Sequence, residues 1–300
     1  MIRAYERSPD EVLEVKNKKI HIFDINGNNI DKKVVHDFGE EWLKFNDFSD
    51  KDIKRTGEEY FDIIDETIVN KETYAIDIGC GSGRWSKYLS AKAGFIEAVD
   101  PSNAIFAAAN LLNNVKNVRL TKASIETLPF EDETFDFAMS VGVLHHIPNT
   151  GAAFKDCLKK VKKGGHFYVY LYYNLDNRGW LFTRLFRFSD VLRSGICKLP
   201  VPMKKIVCDI LALIIYMPFI LATKLLTLIG FTRLAKKLPL SSYHNKSFFI
   251  IRNDSLDRFG TRLEQRFSAT QVREMMENAG LTNIVISSDV PYYHAIGKKK

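Results

Sequence analysis

Cysteine is scarce in this chain of 300 residues, and its four copies, Cys80, Cys157, Cys197 and Cys208, stand far apart, with no CxxC pair and no Cys/His grouping at zinc-ligand spacing. A disulfide scaffold and a structural zinc module are excluded, and a reducing, intracellular setting is the simplest reading. A secretion signal is lacking as well, because MIRAYERSPDEVLEV carries charges where such a signal needs its apolar stretch. The expected compartment is the cytoplasm. The uncharged run from Ile210 to Thr223 has only fourteen residues. As a helix it would cover about 21 Å against roughly 30 Å of hydrocarbon, so a bilayer crossing is not expected. Asp24, Asn26 and Asn28 are spaced like the start of a calcium loop, but Asn29 stands where the glycine belongs and Val35 where the closing Glu belongs. No metal site is expected.

What is present is ordinary for a globular protein: 46% hydrophobic and 26% charged residues. The net charge of +7 would attract nucleic acid, anionic lipid or an anionic substrate, and alone does not choose among them. The Ile20, Ile22, Ile25 pattern running into Asn26-Gly27 predicts a short hairpin. Phe38, Trp42 and Phe45, and then Phe61, Ile64 and Ile68, recur at helical spacing and predict two helices. Strands and helices then alternate: strands over 74–78, 95–99, 118–121, 135–141 and 166–171, helices over 84–92, 104–113 and 152–161. Short apolar strands separated by amphipathic helices mean a parallel sheet covered on both faces. After Tyr173 the alternation stops for about ninety residues. It resumes with Ser268 as the N-cap of a helix to Ala279, Gly280 as its stop, and strands at 283–287 and 293–296.

Asp77-Ile78-Gly79-Cys80-Gly81-Ser82-Gly83 follows a buried strand and opens a helix, where glycines let the backbone approach a ligand without a Cβ clash. A dinucleotide fingerprint would place its third glycine at position 84, which is Arg84, and no Gly-Lys-Ser/Thr follows for a Walker loop. The second strand ends in Val99-Asp100, where a carboxylate can accept hydrogen bonds from both ribose hydroxyls of a nucleoside. SIETLPF, FDFAMSVGVLHHIP and VKKGGHFYVYLYY then follow in order.

Together these motifs resemble the class I S-adenosylmethionine-dependent methyltransferases, in particular the branch with the ubiquinone and menaquinone methyltransferases. The resemblance implies a doubly wound, seven-stranded, mainly parallel α/β sheet of Rossmann-like type. It also implies S-adenosylmethionine as cofactor, with Asp77 near its methionine moiety and Gly79, Gly81 and Gly83 beneath it. Asp100, followed by Pro101, would hold the ribose; Ser124 and Ile125 would lie beside adenine, and Val141 with Gly142 along the cofactor. Ser124 stands where many relatives have Asp, and a hydroxyl holds the adenine amine less strongly. Nothing resembles the acidic or histidine cluster of metal-dependent relatives. FGEEW, YLYYNLDNRGW and DRFGTRLEQRFS are further similar to a bacterial subgroup found beside surface-polysaccharide genes, which does not settle the acceptor.

His145 and His146 follow the fourth strand of this core, at the carboxyl edge, as candidate catalytic bases. Tyr172, Tyr173 and Asn174 leave the fifth strand at the same edge and, with Arg178, are the candidate acceptor-binding residues. Arg258 and Arg266 are further candidate anion clamps, with ion pairing as their alternative role. The domains expected are an amino-terminal hairpin with cap helices (1–69), the core (70–174 and 268–300) and a helical, apolar and basic insertion (175–267). In the insertion Leu181, Leu185, Phe188 and Leu192 share a helical face, with Arg184 and Arg187 elsewhere. It would act as a lid over the acceptor site or as a membrane-surface element over residues 180–232. The acceptor is expected to be a small molecule, possible classes being a sugar or a lipid-linked intermediate, methylated on O or N. Nucleic acid is not the expected acceptor, because no RNA-binding module and no Asn/Asp-Pro-Pro-Tyr signature occurs; a nucleic-acid methyltransferase and a non-catalytic membrane- or partner-binding protein on the same fold are the alternatives.

Overall fold

The computed structural model describes residues 3–44, 48–175 and 179–300, without the side chains of residues 181–183. By contact the chain divides into two units, Met1–Asn174 with Leu263–Lys300, and Leu175–Arg262.

The first unit holds strands β1 (Glu11–Val15), β2 (Lys18–Ile22), β3 (Tyr74–Ile78), β4 (Phe95–Val99), β5 (Val118–Lys122), β6 (Phe135–Val141), β7 (Val161–Tyr170), β8 (Leu281–Ile286) and β9 (Ala295–Lys299). They form one nine-stranded sheet in the order β1-β2-β5-β4-β3-β6-β7-β9-β8. Strands β2 to β7 run parallel, while β1 and β9 are antiparallel to their neighbours. The chain winds outward from β3 through β4 to β5, then returns to the other side of β3 for β6 and β7. The order therefore reverses between β3 and β4 on one side and β6 on the other, the point where open α/β sheets bind ligands outside the carboxyl ends of their strands. All five residues of β3 are buried, as a strand covered on both faces must be.

Seven strands were expected in the sheet, and the two extra ones come from the amino-terminal hairpin. It turns at Lys16, whose φ is +54°, and not at Asn26-Gly27. Its second strand pairs in parallel with β5, Ile20 beside Leu120, which extends the sheet at that edge. The Asn26-Gly27 stretch instead packs on the acidic side chain of Glu126, whose carboxylate accepts from the backbone N–H groups of Asn28 and Asn29.

Helices α1 (Lys32–Lys44) and α2 (Asp50–Tyr60) precede the core, and α3 (Arg84–Ser90), α4 (Ala104–Leu111) and α5 (Thr150–Lys159) alternate with its strands. Helix α2 starts where it does because the Ser49 side chain caps the backbone N–H of Asp52. Phe61, Ile64 and Ile68 lie after that helix in successive tight turns, so their spacing of three and four reflects turns and not a second cap helix. Phe45 lies outside the described residues. Helix α5 begins two residues earlier than expected because Asn149 caps it, and β7 begins five residues earlier because Val161 already pairs with Phe135 ahead of a register shift.

A buried charge network ties the amino terminus to the sheet. Arg119 grips Glu97 through two hydrogen bonds of 2.8 Å, donates to the Arg3 carbonyl at 2.9 Å and stacks on Tyr5 at 4.0 Å. The Glu97 carboxylate is wholly buried and also accepts from the Tyr74 hydroxyl at 2.5 Å. Arg119→Ala leaves that carboxylate without its counter-ion, and urea unfolding should register a loss of about 3–5 kcal/mol. The double variant Glu97→Met/Arg119→Met should lose less, because no buried charge is left behind.

The second unit contains α6 (Trp180–Ile196), α7 (Val201–Leu211), a π-helical turn at Ala212–Tyr216, α8 (Met217–Leu228), α9 (Thr232–Ala235) and α10 (Phe248–Gly260). The stretch Val201–Leu228 is continuous over 28 residues, about 42 Å of axis. This overturns the expected 21 Å, because a helix does not stop at Asp209 or Lys224. Pro218 is tolerated where the wide π turn meets the first turn of α8. Among the described residues this is one helix long and apolar enough, by length and composition, to cross a membrane. Helix α10 packs along it: Arg252 pairs with Asp209 at 2.7 and 3.0 Å, and Ser255 donates to the Cys208 carbonyl. Residues 263–267, expected in the insertion, belong to the first unit. Phe267 donates its backbone N–H to Tyr172, and Asn174 donates to Phe267.

Candidate active site

The turn after β3 is shaped by three glycines at positive φ, Gly79 at +80°, Gly81 at +53° and Gly83 at +80°. A Cβ on Gly79 would stand 2.5 Å from Val143, and one on Gly83 would stand 2.8 Å from Leu112, so neither position admits a side chain. The backbone N–H groups of Gly79 and Cys80 both donate to the Val99 carbonyl, which holds the turn against the end of β4. Gly142, beyond β6, also has positive φ (+77°), and a Cβ there would meet nothing within 4 Å. Open space therefore adjoins the backbone at the sheet's switch point.

Asp100 receives the Gly81 N–H at 2.8 Å on one oxygen and the Ser102 N–H and hydroxyl at 2.8 and 2.6 Å on the other. It braces the glycine turn while retaining lone pairs for a further donor. Asp77 is completely buried. One of its oxygens accepts from the Ser86 hydroxyl at 2.7 Å, and the other has no partner. Burial first, then the neighbouring Asp100 charge, push its carboxyl up to about 7, against the Ser86 hydrogen bond. A buried carboxylate with one oxygen unpartnered, beside a glycine turn, could hold a cationic, hydrogen-bonding ligand.

Pro101 follows Asp100 at the same strand end. Ser124 is buried, with its hydroxyl 2.9 Å from that of Thr127, and Ile125 opens the short 3₁₀ turn Ile125–Thr127. Val141 ends β6 beside Gly142 and is buried.

His145 is fully buried between the rings of His146 (4.0 Å) and Tyr172 (3.9 Å), and neither of its nitrogens has a hydrogen-bond partner. Burial holds it well below the ordinary imidazole value, so it is neutral. His146 Nδ1 donates to the Leu263 carbonyl at 2.6 Å, and its ring packs on Phe38 at 4.7 Å. Tyr173 stacks near Tyr292 and Tyr293, and Asn174 is joined through its backbone to Phe267. Arg178 lies outside the described residues. Arg266 pairs with Glu264 and Arg258 with Asp190, so both candidate clamps have acidic partners.

Sequence reasoning missed two features. Helix α1 lies over the glycine turn: Trp42 Nε1 is 3.1 Å from where a Gly81 Cβ would stand, and Arg84 stacks on Trp42 at 5.1 Å. The other is an imidazole–carboxylate pair. His294 Nε2 contacts Asp62 Oδ1 at 2.6 Å, and Nδ1 is buried with no partner. Since Ala295 pairs with Val169, His294 stands abreast of Tyr170, at the carboxyl edge of the sheet. Burial lowers its pKa against the pull of Asp62, which favours the neutral ring. No local pattern could have found a pair 232 residues apart.

A glycine-lined turn after β3 and an acidic residue after β4, beside the point between β3 and β6 where a doubly wound sheet reverses its order, are the arrangement that class I, S-adenosylmethionine-dependent methyltransferases share. Residues 76–169 match the family described as "Methyltransferase domain". The ubiquinone biosynthesis O-methyltransferase of Pseudomonas fluorescens is 29% identical over 108 residues, covering 35% of this chain and 47% of that protein. The demethylmenaquinone methyltransferase of Staphylococcus aureus is 32% identical over 101 residues, covering 32% of this chain and 42% of that protein. The chain thus spans about half the length of the curated relatives it matches. Among solved structures, a chain of the complex between the Haloferax volcanii Trm112 methyltransferase activator and a methyltransferase superposes with a TM-score of 0.51 at 12% identity, covering 88% of this chain and 96% of that one, a likeness of fold.

Proposed function

We propose that this protein transfers the methyl group of S-adenosylmethionine to an oxygen or nitrogen of a small molecule. The observation that carries the reading is the unpartnered, buried oxygen of Asp77 beside a glycine cradle at the switch point of the sheet. The residues present fit the cofactor: Asp77 would meet its methionine moiety, the turn through Gly79, Gly81 and Gly83 would lie beneath it, Gly142 leaves open space beside it, Asp100 would take the ribose, and Ser124, Ile125 and Val141 would flank it. When bound it supplies a methyl group already activated on a sulfonium. The protein then has to align the acceptor, exclude water and remove one proton.

Phe38 and Trp42 of α1 contribute apolar cover at the carboxyl edge, and Tyr172, Tyr173 and Asn174 offer an acceptor surface. Three imidazoles could take the proton: His146, whose Nδ1 donates to the Leu263 carbonyl, and the buried rings of His145 and His294. His145 and His294 are both buried and neutral, but only His294 has a carboxylate that orients its ring, so it is the preferred base. The four buried cysteines suit a reducing, cytoplasmic setting.

Titration calorimetry tests cofactor binding. Gly81→Val places a branched side chain against Trp42 at positive φ, and Asp100→Ala removes the acceptor of the Gly81 and Ser102 N–H groups. Each should weaken S-adenosylmethionine by roughly tenfold or more, the worth of one charge-assisted hydrogen bond. Unaltered binding in both variants would sink the assignment.

A further inference from the structure

Residues Leu175–Arg262 carry a surface that methyl transfer does not require. They hold fifteen Lys and Arg against five Asp and no Glu, a net charge of +10, whereas the whole chain carries +7 and the remainder therefore −3. The basic character of the protein is thus concentrated in one unit. That unit also exposes its aliphatic side chains in an ordered way. Along Val201–Leu228 the positions Lys204, Cys208, Ala212, Tyr216, Ile220 and Thr223 recur every three or four residues and are buried. The opposite face presents Ile206, Ile210, Ile214, Leu221, Leu225 and Leu228, between 48% and 83% exposed. Leu185, Phe188 and Val191 of α6 are exposed as well, with Arg184 and Arg187 between and beside them. Exposed apolar residues in such numbers are rare on a surface that meets only water.

From this arrangement we infer that the Leu175–Arg262 unit docks in the plane of an anionic phospholipid bilayer. Charge decides for lipid. Arg184, Arg187, Lys224, Arg233, Lys236 and Lys237 are exposed and make no ion pair among the described residues, and each stands within about three residues of an exposed aliphatic along the chain, the mixture that suits an interfacial helix among lipid headgroups. A second copy of the chain would bring one +10 surface against another, and a polyphosphate such as nucleic acid has no use for a row of Ile and Leu. Geometry decides for lying flat. The buried face of the long helix is held by α10 through the Arg252–Asp209 pair, which a bilayer crossing would carry into hydrocarbon. The inference does not depend on methyl transfer, so the two readings fail separately.

Flotation of the full chain with vesicles of phosphatidylglycerol or of phosphatidylcholine tests it. The protein should rise with the anionic vesicles, roughly tenfold more than with the neutral ones, and lose this preference as salt is raised from about 0.1 M to about 0.5 M. Lys224→Glu/Arg233→Glu/Lys236→Glu/Lys237→Glu should reduce it by roughly tenfold or more. Because the four native cysteines are buried, a polarity-sensitive dye can be placed selectively through Ile214→Cys, with Glu66→Cys as the control on the other unit. Anionic vesicles should shift the Ile214→Cys emission to the blue and leave the control unmoved. A wild type that stays in solution, equal flotation with both lipids, an unshifted dye, or a stable dimer that excludes vesicles would each overturn the assignment.

Discussion

Asp77→Asn should raise stability at pH 8 by up to about 4 kcal/mol and at the same time lower the affinity for S-adenosylmethionine at least roughly tenfold. The carboxyl is fully buried with one oxygen unpartnered, and its pKa is pushed from 3.8 to about 7, chiefly by burial and then by Asp100. A folded-state value above the unfolded one means that the protonated form is favoured by folding. The associated stability is complete below pH 3.8, is lost as pH rises through about 7, and is absent at pH 8. A rise from 3.8 to about 7 corresponds to about 4 kcal/mol, an upper figure because the new amide also needs partners. Urea unfolding of both proteins from pH 4 to pH 8 checks the sign: the variant should gain on the wild type as pH rises, and a constant difference would refute the account. Ligand binding runs the other way. The cofactor's ammonium and sulfonium favour the ionised carboxylate, so wild-type affinity should fall towards tenfold per pH unit below about pH 7, with proton release visible in buffers of different ionisation enthalpy. Affinity that does not vary between about pH 5.5 and pH 8 would remove Asp77 from the site.

His294→Ala should lower turnover by about 10²- to 10⁴-fold while cofactor affinity stays within about twofold. The substrate for the measurement is the fraction of a cell extract, aqueous or lipid, that takes up label from methyl-labelled S-adenosylmethionine. Asp62 fixes the ring by accepting from Nε2, which leaves Nδ1 as the proton acceptor, so Asp62→Asn should cost less than the loss of the ring but act in the same direction. A base must be neutral to work. Because burial lowers the His294 pKa, the acid limb of the rate profile should lie below the ordinary imidazole value, with rate falling as pH falls. Partial rescue of His294→Ala by added imidazole would distinguish proton transfer from packing. If His145→Ala loses the activity and His294→Ala keeps it, the proton leaves through the other imidazole.

Much of the parallel sheet could be read in advance because each of its units is local. A strand such as Tyr74–Ile78 is an apolar run, a helix such as Ala104–Leu111 has its own period, and a glycine turn declares positive φ through the residue type itself. Asp77 and Asp100 could be placed at one sheet edge for the same reason: both end parallel strands that carry them to the same side. The errors arose where one local pattern admits two structures. Phe61, Ile64 and Ile68 keep helical spacing in a series of turns, and Lys16 turns the hairpin that Asn26-Gly27 advertised.

Sequence alone determined the strand–helix order, the glycine turn with its acidic neighbours and the cationic, apolar character of residues 175–262, since these depend on residue type and on spacings within a few turns of chain. Tertiary structure alone decided what pairs across long separations. Ile20 joins Leu120 to widen the sheet, α1 brings Trp42 over Gly81, and Asp62 meets His294. It also decided that the long helix buries the face of Cys208 and exposes that of Ile214. A periodic pattern marks two faces of a helix, but only the packing of α10 along one of them determines which is left for a partner.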